Sequence, residues 1–292
     1  MTDIKAYIKS KREGLADSSI TTYASILKSL YKKVWGNETM DFAKFSDFKT
    51  ITEALKDTPP NKRKTILSAL FIITEIPQYR SLMMEDSQAY AKEISKNKKT
   101  ETQEENWVET ADVESVLAKL EKDTTAIYKK QTKTPQDLQE IQNYIIMVLL
   151  SGKYIPVRRS KDYVDFKIKS PTAEDNFLDK NKLVFNSYKT AKTYGQQVLT
   201  IPIKVKNILK KWIDINPTEW LLFDTNMGKM SNVKLTQRIN KIFNDKKVSV
   251  NQLRHTSITD KLEDHQLSKK KAEKLMSDMG SSLNMVDTYY KE

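Results

Sequence analysis

Residues 182–203 read KLVFNSYKTAKTYGQQVLTIPI. KLVFNSYKT and QQVLTIPI are rich in β-branched and aromatic residues, and AKTYG between them ends on Gly195, a turn signal. Nearly everything else in the chain has the three-and-four apolar spacing of helices. This interval therefore decides between an all-helical chain and a mixed one. With YVDFKIK (163–169) before them, the runs predict a small antiparallel sheet of about three strands in a mainly α chain, an α+β fold.

Working outward, IQNYIIMVLLSG (141–152) is apolar nearly all round, which predicts a central buried helix ended by Gly152. IKVKNILKKWIDI (203–215) is helical, and from Asn232 the helical pattern runs to the end. Toward the start, DSSITTYASILKSLYKKVWG (17–36) offers Asp17, Ser18 or Ser19 as an N-cap. It puts Ile20, Tyr23, Leu27, Leu30 and Val34 on one face before Gly36. TPPNKRKTILSALFIITEI (58–76) repeats the design with a basic first turn, and SLMMEDSQAYAKEISKN (81–97) is a further helix. SKNKKTETQEEN (95–106) is polar and lacks an apolar anchor. The expected division is a helical domain over 1–95, a linker over 96–106 and a second domain over 107–292.

The 292 residues carry 50 Lys+Arg against 38 Asp+Glu, a formal charge of +12. That surplus favours a polyanionic partner, because each neutralised phosphate releases counterions. The absence of cysteine excludes disulfides, a thiol nucleophile and Cys-based zinc sites. Two histidines, His255 and His265, leave little for a His-based metal cluster. No apolar run approaches the ~20 residues of a membrane span, and MTDIKAYIKSKREG lacks a signal peptide's apolar core. The expectation is an intracellular protein of cytoplasm or nucleus, not secreted, with no membrane partner.

Four separated stretches carry candidate chemistry: YIPVRRSKDYVDFKI (154–168), FNSYKTAKTYGQQVLTIP (185–202), SVNQLRHTSITDKL (249–262) and MSDMGSSLNMVDTYY (276–290). A guanidinium's planar fork suits a phosphate, so Arg158, Arg159 and Arg254 are candidate anion ligands. Leu253 and Ile258 frame Arg254 on an otherwise apolar helix, where a charge needs a partner. The last stretch reads as a helix capped by Ser268, with Leu275, Met276 and Met279 inward and Gly280 as its stop. A restart follows at Ser281 or Ser282. On a continuous helix Tyr290 shares a face with Leu283 and Val286, and Tyr289 stacks with Met285. Periodicity does not choose between the tyrosines.

In this order the four stretches resemble the tyrosine recombinase (phage integrase) family. The resemblance covers residues 107–292, and in outline the N-terminal helices look like the family's core-binding domain. It implies Arg159, with Asp162 three positions on, as one phosphate clamp, Arg158 being the runner-up. Leu-Arg-His at 253–255 implies Arg254 as the second. A lysine of the β-hairpin would protonate the leaving 5′ oxygen: Lys189, or Lys192 deeper in the turn. Where the family has histidine three residues before the second arginine, this chain has Asn251. Where it has His or Trp after a glycine, this chain has Ser281. His255 is out of register and reads as a structural helix residue, and His265 sits in a loop-like stretch.

The family's nucleophile lies nine residues beyond the Ser281 position, which favours Tyr290 over Tyr289. The implied reaction is cleavage and rejoining of double-stranded DNA through a 3′-phosphotyrosine, with no metal or other cofactor. Recombination would join four protomers on two duplexes, as in the integrases of mobile or viral elements. The neutral Asn251 and Ser281 imply a slower strand transfer. Only Lys291 and Glu292 follow the tyrosines; a chain that ended there would hold its tetramer by the N-terminal helices or a shifted Tyr-bearing helix, and a longer one by a further C-terminal tail. A type IB topoisomerase and a DNA-binding or architectural relative without turnover are the alternatives.

Overall fold

The computed structural model describes residues 3–263 and 269–291. It divides into two compact units, Met1–Lys96 and Asn97–Glu292.

The first unit holds helices α1 (Ile4–Lys11), α2 (Asp17–Trp35), α3 (Phe48–Ala54), α4 (Pro60–Thr74) and α5 (Pro77–Ile94). All three expected caps, Asp17, Ser18 and Ser19, lie inside α2, whose N-cap is Ala16, and the helix stops at Gly36 with φ 72°. α4 and α5 each begin on proline, whose fixed φ and missing N–H suit a first turn. Their apolar stripes meet in a core that includes Leu27, Leu67, Leu70 and Tyr79. The basic first turn of α4 is partly committed within the fold. Arg63 makes a two-pronged ion pair with buried Asp86 of α5, at 2.9 and 2.7 Å. Lys64 lies over the Tyr90 ring at 3.9 Å.

In the second unit α6 (Glu101–Asn106) falls inside the expected linker, because Thr100 and Gln103 form a reciprocal capping box. α7 (Thr110–Tyr128) packs on α8 (Pro135–Leu150), the central helix. Ile145 to Leu149 are fully buried there, and Gly152 beyond the end has φ 76°. The short α9 (Ser160–Val164) leads into a sheet of β1 (Phe166–Lys167), β2 (Asn176–Asp179), β3 (Lys182–Phe185) and β4 (Gln197–Thr200), in that order.

The sheet is mixed rather than purely antiparallel. β2–β3 and β3–β4 are antiparallel, while β1 pairs with β2 in parallel. β2 escaped the sequence pattern because its four residues, NFLD, are flanked by charge. Its turn to β3 uses Lys180 at φ 54° instead of a glycine signal. AKTYG also forms more than a turn: Ala191–Tyr194 is a short helix, α10, closed by Gly195.

α11 (Ile203–Ile215), α12 (Asn232–Ile242), α13 (Val250–Glu263), α14 (Lys269–Asp278) and α15 (Val286–Tyr289) complete the unit. A core including Ile146, Phe185, Trp212, Phe223 and Leu253 joins α8, the sheet and the last helices. Among the described residues no helix is long and apolar enough to cross a membrane.

Candidate active site

Arg158 and Arg159 precede α9, and Arg159 is its N-cap on extended backbone at φ −74°, ψ 155°. Arg158 turns inward and Arg159 turns toward α13 and the segment after α14. The expected pairing of Arg159 with Asp162 is therefore replaced. Arg158 takes that carboxylate, Nε to Oδ2 at 2.8 Å, with both side chains buried. Arg158 also donates to Gln197 Oε1 (3.0 Å) and the Asp278 carbonyl (2.8 Å), and stacks on Phe185 at 3.9 Å. Burial pushes the Asp162 carboxyl up, against the neighbouring Arg158, Arg159 and Arg254 charges.

Arg159 and Arg254 share one acceptor. Nη2 of Arg159 lies 3.0 Å from Ser281 Oγ, and Nη2 of Arg254 lies 2.9 Å from the same oxygen. Arg159 also donates to the Gly280 carbonyl. Arg254 donates to the carbonyls of Val157 (2.6 Å) and Met279 (3.0 Å). Arg254 is 1 % exposed, yet among the described residues every hydrogen-bond partner of these two guanidiniums is a neutral oxygen. A buried cation without a contacting carboxylate is an unbalanced charge that an anion would complete. A hollow of about 250 Å³ opens beside them, lined by Arg159, Ser160, Lys161, Asn232, Asn251 and Arg254 among others.

The turn after α14 builds this arrangement. Ser281 N–H bonds the Met276 carbonyl at 2.8 Å, with Gly280 at φ 67°, a glycine helix stop. Ser281 does not cap the next segment with its side chain, which is engaged by the two arginines. Leu283–Met285 form a 3-10 turn, and α15 is a single turn from Val286 to Tyr289.

That tightened turn decides which tyrosine faces the arginines. The Tyr289 hydroxyl is 3.2 Å from Arg254 Nη2, and its ring lies 4.7 Å from the guanidinium. Tyr290, preferred on family spacing, leaves the helix as its C-cap at ψ 135°, half-buried. Among the described residues its side chain makes no hydrogen bond or ring contact with either arginine. Burial alone would push the Tyr289 phenol up. The Arg254 and Arg159 charges, with hydrogen bonds from Arg254 and Ser281, outweigh it and bring the phenol below its ordinary value.

Asn251 lines the hollow one turn before His255 and bonds it, Nδ2 to Nε2 at 3.1 Å. His255 also contacts the Tyr289 carbonyl through Nδ1 at 2.8 Å. Register with the family's histidine positions gave no sign of this contact. The signal available in the sequence was its place directly after Arg254 between Leu253 and Ile258, although the helix itself is largely polar and buried. His265 and Ser268 lie outside the described residues.

Lys189 is exposed in the turn after β3, and Lys192 is exposed on α10. Tyr188 closes that turn from its hydroxyl to the Gly195 carbonyl at 2.7 Å. Buried Asn176 ties the turn to α9 by donating to the Asp162 and Ser187 carbonyls. The described residues contain no cluster of three or more His, Cys, Asp or Glu able to hold a metal ion.

No protein-family model matches the chain, and no curated protein matches it by sequence. Solved structures do match. A lambda integrase dimer bound to a COC′ core site superposes at a TM-score of 0.52 with 12% identity, covering 98% of this chain and 75% of that one. XerA recombinase covers 100% of this chain and 92% of its own at 0.45 and 11% identity. A lambda integrase tetramer bound to a Holliday junction reaches 0.48 at 14% identity, over 98% of this chain and 76% of that one. At these identities the likeness is one of fold, and the fold of this chain is that of the tyrosine recombinases.

Proposed function

We propose that the protein is a site-specific DNA recombinase that cleaves and rejoins double-stranded DNA through Tyr289. One observation carries this reading. Arg159 and Arg254 converge on a single oxygen, Ser281 Oγ, with no carboxylate bonded to either among the described residues, and the Tyr289 hydroxyl is bonded to Arg254. Ser281 Oγ marks where a phosphate oxygen would be held, and the tyrosine is poised beside it.

In this mechanism a phosphodiester enters the hollow and its non-bridging oxygens take the Nη groups. Tyr289 is 4 % exposed, so DNA entry must first uncover its hydroxyl; the phenol then loses its proton to solvent, helped by the neighbouring cations, and its oxygen attacks phosphorus. The P–O5′ bond breaks, and the leaving oxygen takes a proton from Lys189, with Lys192 the alternative donor. The product is a 3′-phosphotyrosine and a free 5′ hydroxyl. Attack by another 5′ hydroxyl reverses the chemistry and joins new strands. Arg159 and Arg254 stabilise the charge that develops on the pentacoordinate phosphorus, a role that fixed donors perform without reorganisation. Asn251 can donate to the phosphate but does not take up a proton near pH 7.

The DNA-bound lambda integrase of similar fold supports duplex DNA as the partner, as does the +12 charge. Exchange between two duplexes would need four protomers. An intracellular site of action follows from the DNA substrate.

The test is covalent capture on nicked suicide duplexes drawn from a randomised pool. A DNA adduct lost in Tyr289→Phe and kept in Tyr290→Phe is the expected result. An adduct on Tyr290, or none with any duplex, overturns the reading. Relaxation of plasmids by a monomer without sequence preference would instead identify a topoisomerase.

A further inference from the structure

His255 occupies a position that the mechanism above leaves unused. It is buried on α13, immediately after Arg254. Its Nδ1 is 2.8 Å from the Tyr289 carbonyl. A carbonyl only accepts, so Nδ1 carries the proton. Nε2 is then a bare acceptor, and it faces Asn251 Nδ2, an amide donor, at 3.1 Å. One neutral tautomer satisfies both contacts. The imidazole also packs on the Tyr289 ring, with centroids 5.2 Å apart.

These contacts run in one line from the tyrosine's own peptide group to Asn251 on the wall of the anion hollow. The line matters because α15 is one turn long, and a helix that short does not hold its own geometry. Tyr289 is kept in place from outside, by His255 and by the neighbouring bond from Lys291 N–H to Thr259 Oγ1 at 2.9 Å. The surroundings keep the imidazole uncharged. Burial lowers its proton affinity most, the Tyr289 carbonyl acts the other way, and the charged groups facing it, Lys291 and Arg254, lower it further.

We propose that His255, as the neutral Nδ1–H imidazole, is a positioning residue that aims the Tyr289 hydroxyl at Arg254 and orients the Asn251 amide on the hollow. The inference rests on Tyr289 as nucleophile. His255 is not a general base here, since the Nε2 lone pair is already engaged by Asn251.

Two measurements on the full chain test it. The chain has only two histidines, so ¹H–¹⁵N spectra with His265→Gln for assignment read the His255 tautomer directly. The Nδ1–H form is expected, and the Nε2–H form overturns the proposal. Second, ¹³C-labelled tyrosine, assigned with Tyr289→Phe, reports the phenol's titration. His255→Phe keeps an aromatic ring, somewhat larger, and removes both hydrogen bonds, whereas His255→Asn restores a donor near Nδ1. In His255→Phe the Tyr289 titration should move up toward that of an ordinary tyrosine, and in His255→Asn it should return toward wild type.

Adduct formation should fall by about 10²-fold in the first variant, the scale of a misplaced reacting group, and recover in the second. An unmoved Tyr289 titration in folded His255→Phe overturns the proposal. If His255→Phe does not fold, the tautomer and His255→Asn decide. If wild type forms no adduct, the recombinase reading fails, while the two spectra still decide the role of His255.

Discussion

Tyr289 meets Arg254 in two ways at once: its hydroxyl accepts from Nη2 at 3.2 Å, and its ring lies 4.7 Å from the same guanidinium. The hydrogen bond favours a phenolate, and the ring contact fixes the direction in which the oxygen points. Arg254 therefore both holds the candidate nucleophile and forms half of the candidate phosphate clamp. A phosphate that enters must share Arg254 with the tyrosine, which brings the attacking oxygen and phosphorus to the same cation.

The pH dependence of cleavage follows from this contact. The reactive form is the phenolate, so adduct formation should rise with pH through the Tyr289 titration. The midpoint should lie below the ordinary tyrosine value of 10.0. Arg159→Ala removes one of the cations that lower it, so the midpoint should move up. Rapid-quench cleavage rates across pH check both statements. A midpoint unchanged by the substitution would detach Arg159 from the phenol.

Arg159→Lys and Arg254→Lys each keep one charge and lose the fork. Arg254 donates to four oxygens from two nitrogens, which an ammonium on a flexible stem does not reproduce. Each substitution should slow cleavage by about 10² to 10³, the range for loss of one transition-state donor. Arg254→Lys should also lower stability, because it leaves buried carbonyls without donors. Equal thermal unfolding with a slowed rate is the outcome expected of Arg159→Lys alone.

The fold class was legible because β3 and β4 interrupt a helical period with β-branched and aromatic residues. β2 was not, since four residues among charges carry no period. The arginine neighbourhood was legible as spacing: the family's three-residue interval selected Arg159, which meets Arg254 at Ser281, although the Asp162 that set the interval pairs with Arg158. Asp162, four residues on across the first turn of α9, pairs with Arg158, while Arg159 bonds Ser281 beside Arg254, although both guanidiniums lie against the Asp278–Ser281 turn. Tyr289 and Tyr290 are separated by the 3-10 turn at Leu283–Met285. It shifts the face that a continuous helix from Ser281 would have presented. His255 gave no sign of its contact with Tyr289 because that contact joins residues 34 apart in sequence.

The Arg158–Asp162 pair should behave as a structural element. Both side chains are buried, at 1% and 0% exposure. Asp162→Ala leaves the Arg158 charge without its carboxylate, and breaking a buried pair from one side costs about 3–5 kcal/mol. Chemical denaturation should show that loss, and replacing both partners together with apolar residues of similar size should recover most of it. A cost under about 1 kcal/mol, typical of an exposed pair, would contradict the burial.

Gly280 supplies the sharpest contrast, because Gly195 is a control for it. Both have positive φ, 67° and 64°. A Cβ at Gly195 would meet nothing within 4 Å, whereas one at Gly280 would lie 2.9 Å from Arg158 Nη2. Gly195→Ala should therefore show backbone strain alone, about 1 kcal/mol. Gly280→Ala adds a clash with a buried guanidinium already held by Asp162, Gln197 and the Asp278 carbonyl, so it cannot yield freely. The turn must shift instead, and the turn carries the Gly280 carbonyl bonded by Arg159 and the Ser281 hydroxyl bonded by both arginines. Gly280→Ala should therefore lose more stability than Gly195→Ala and also move the Tyr289 titration upward. The second effect separates a displaced arginine clamp from simple strain, and equal behaviour of the two variants would show that the turn does not set the clamp.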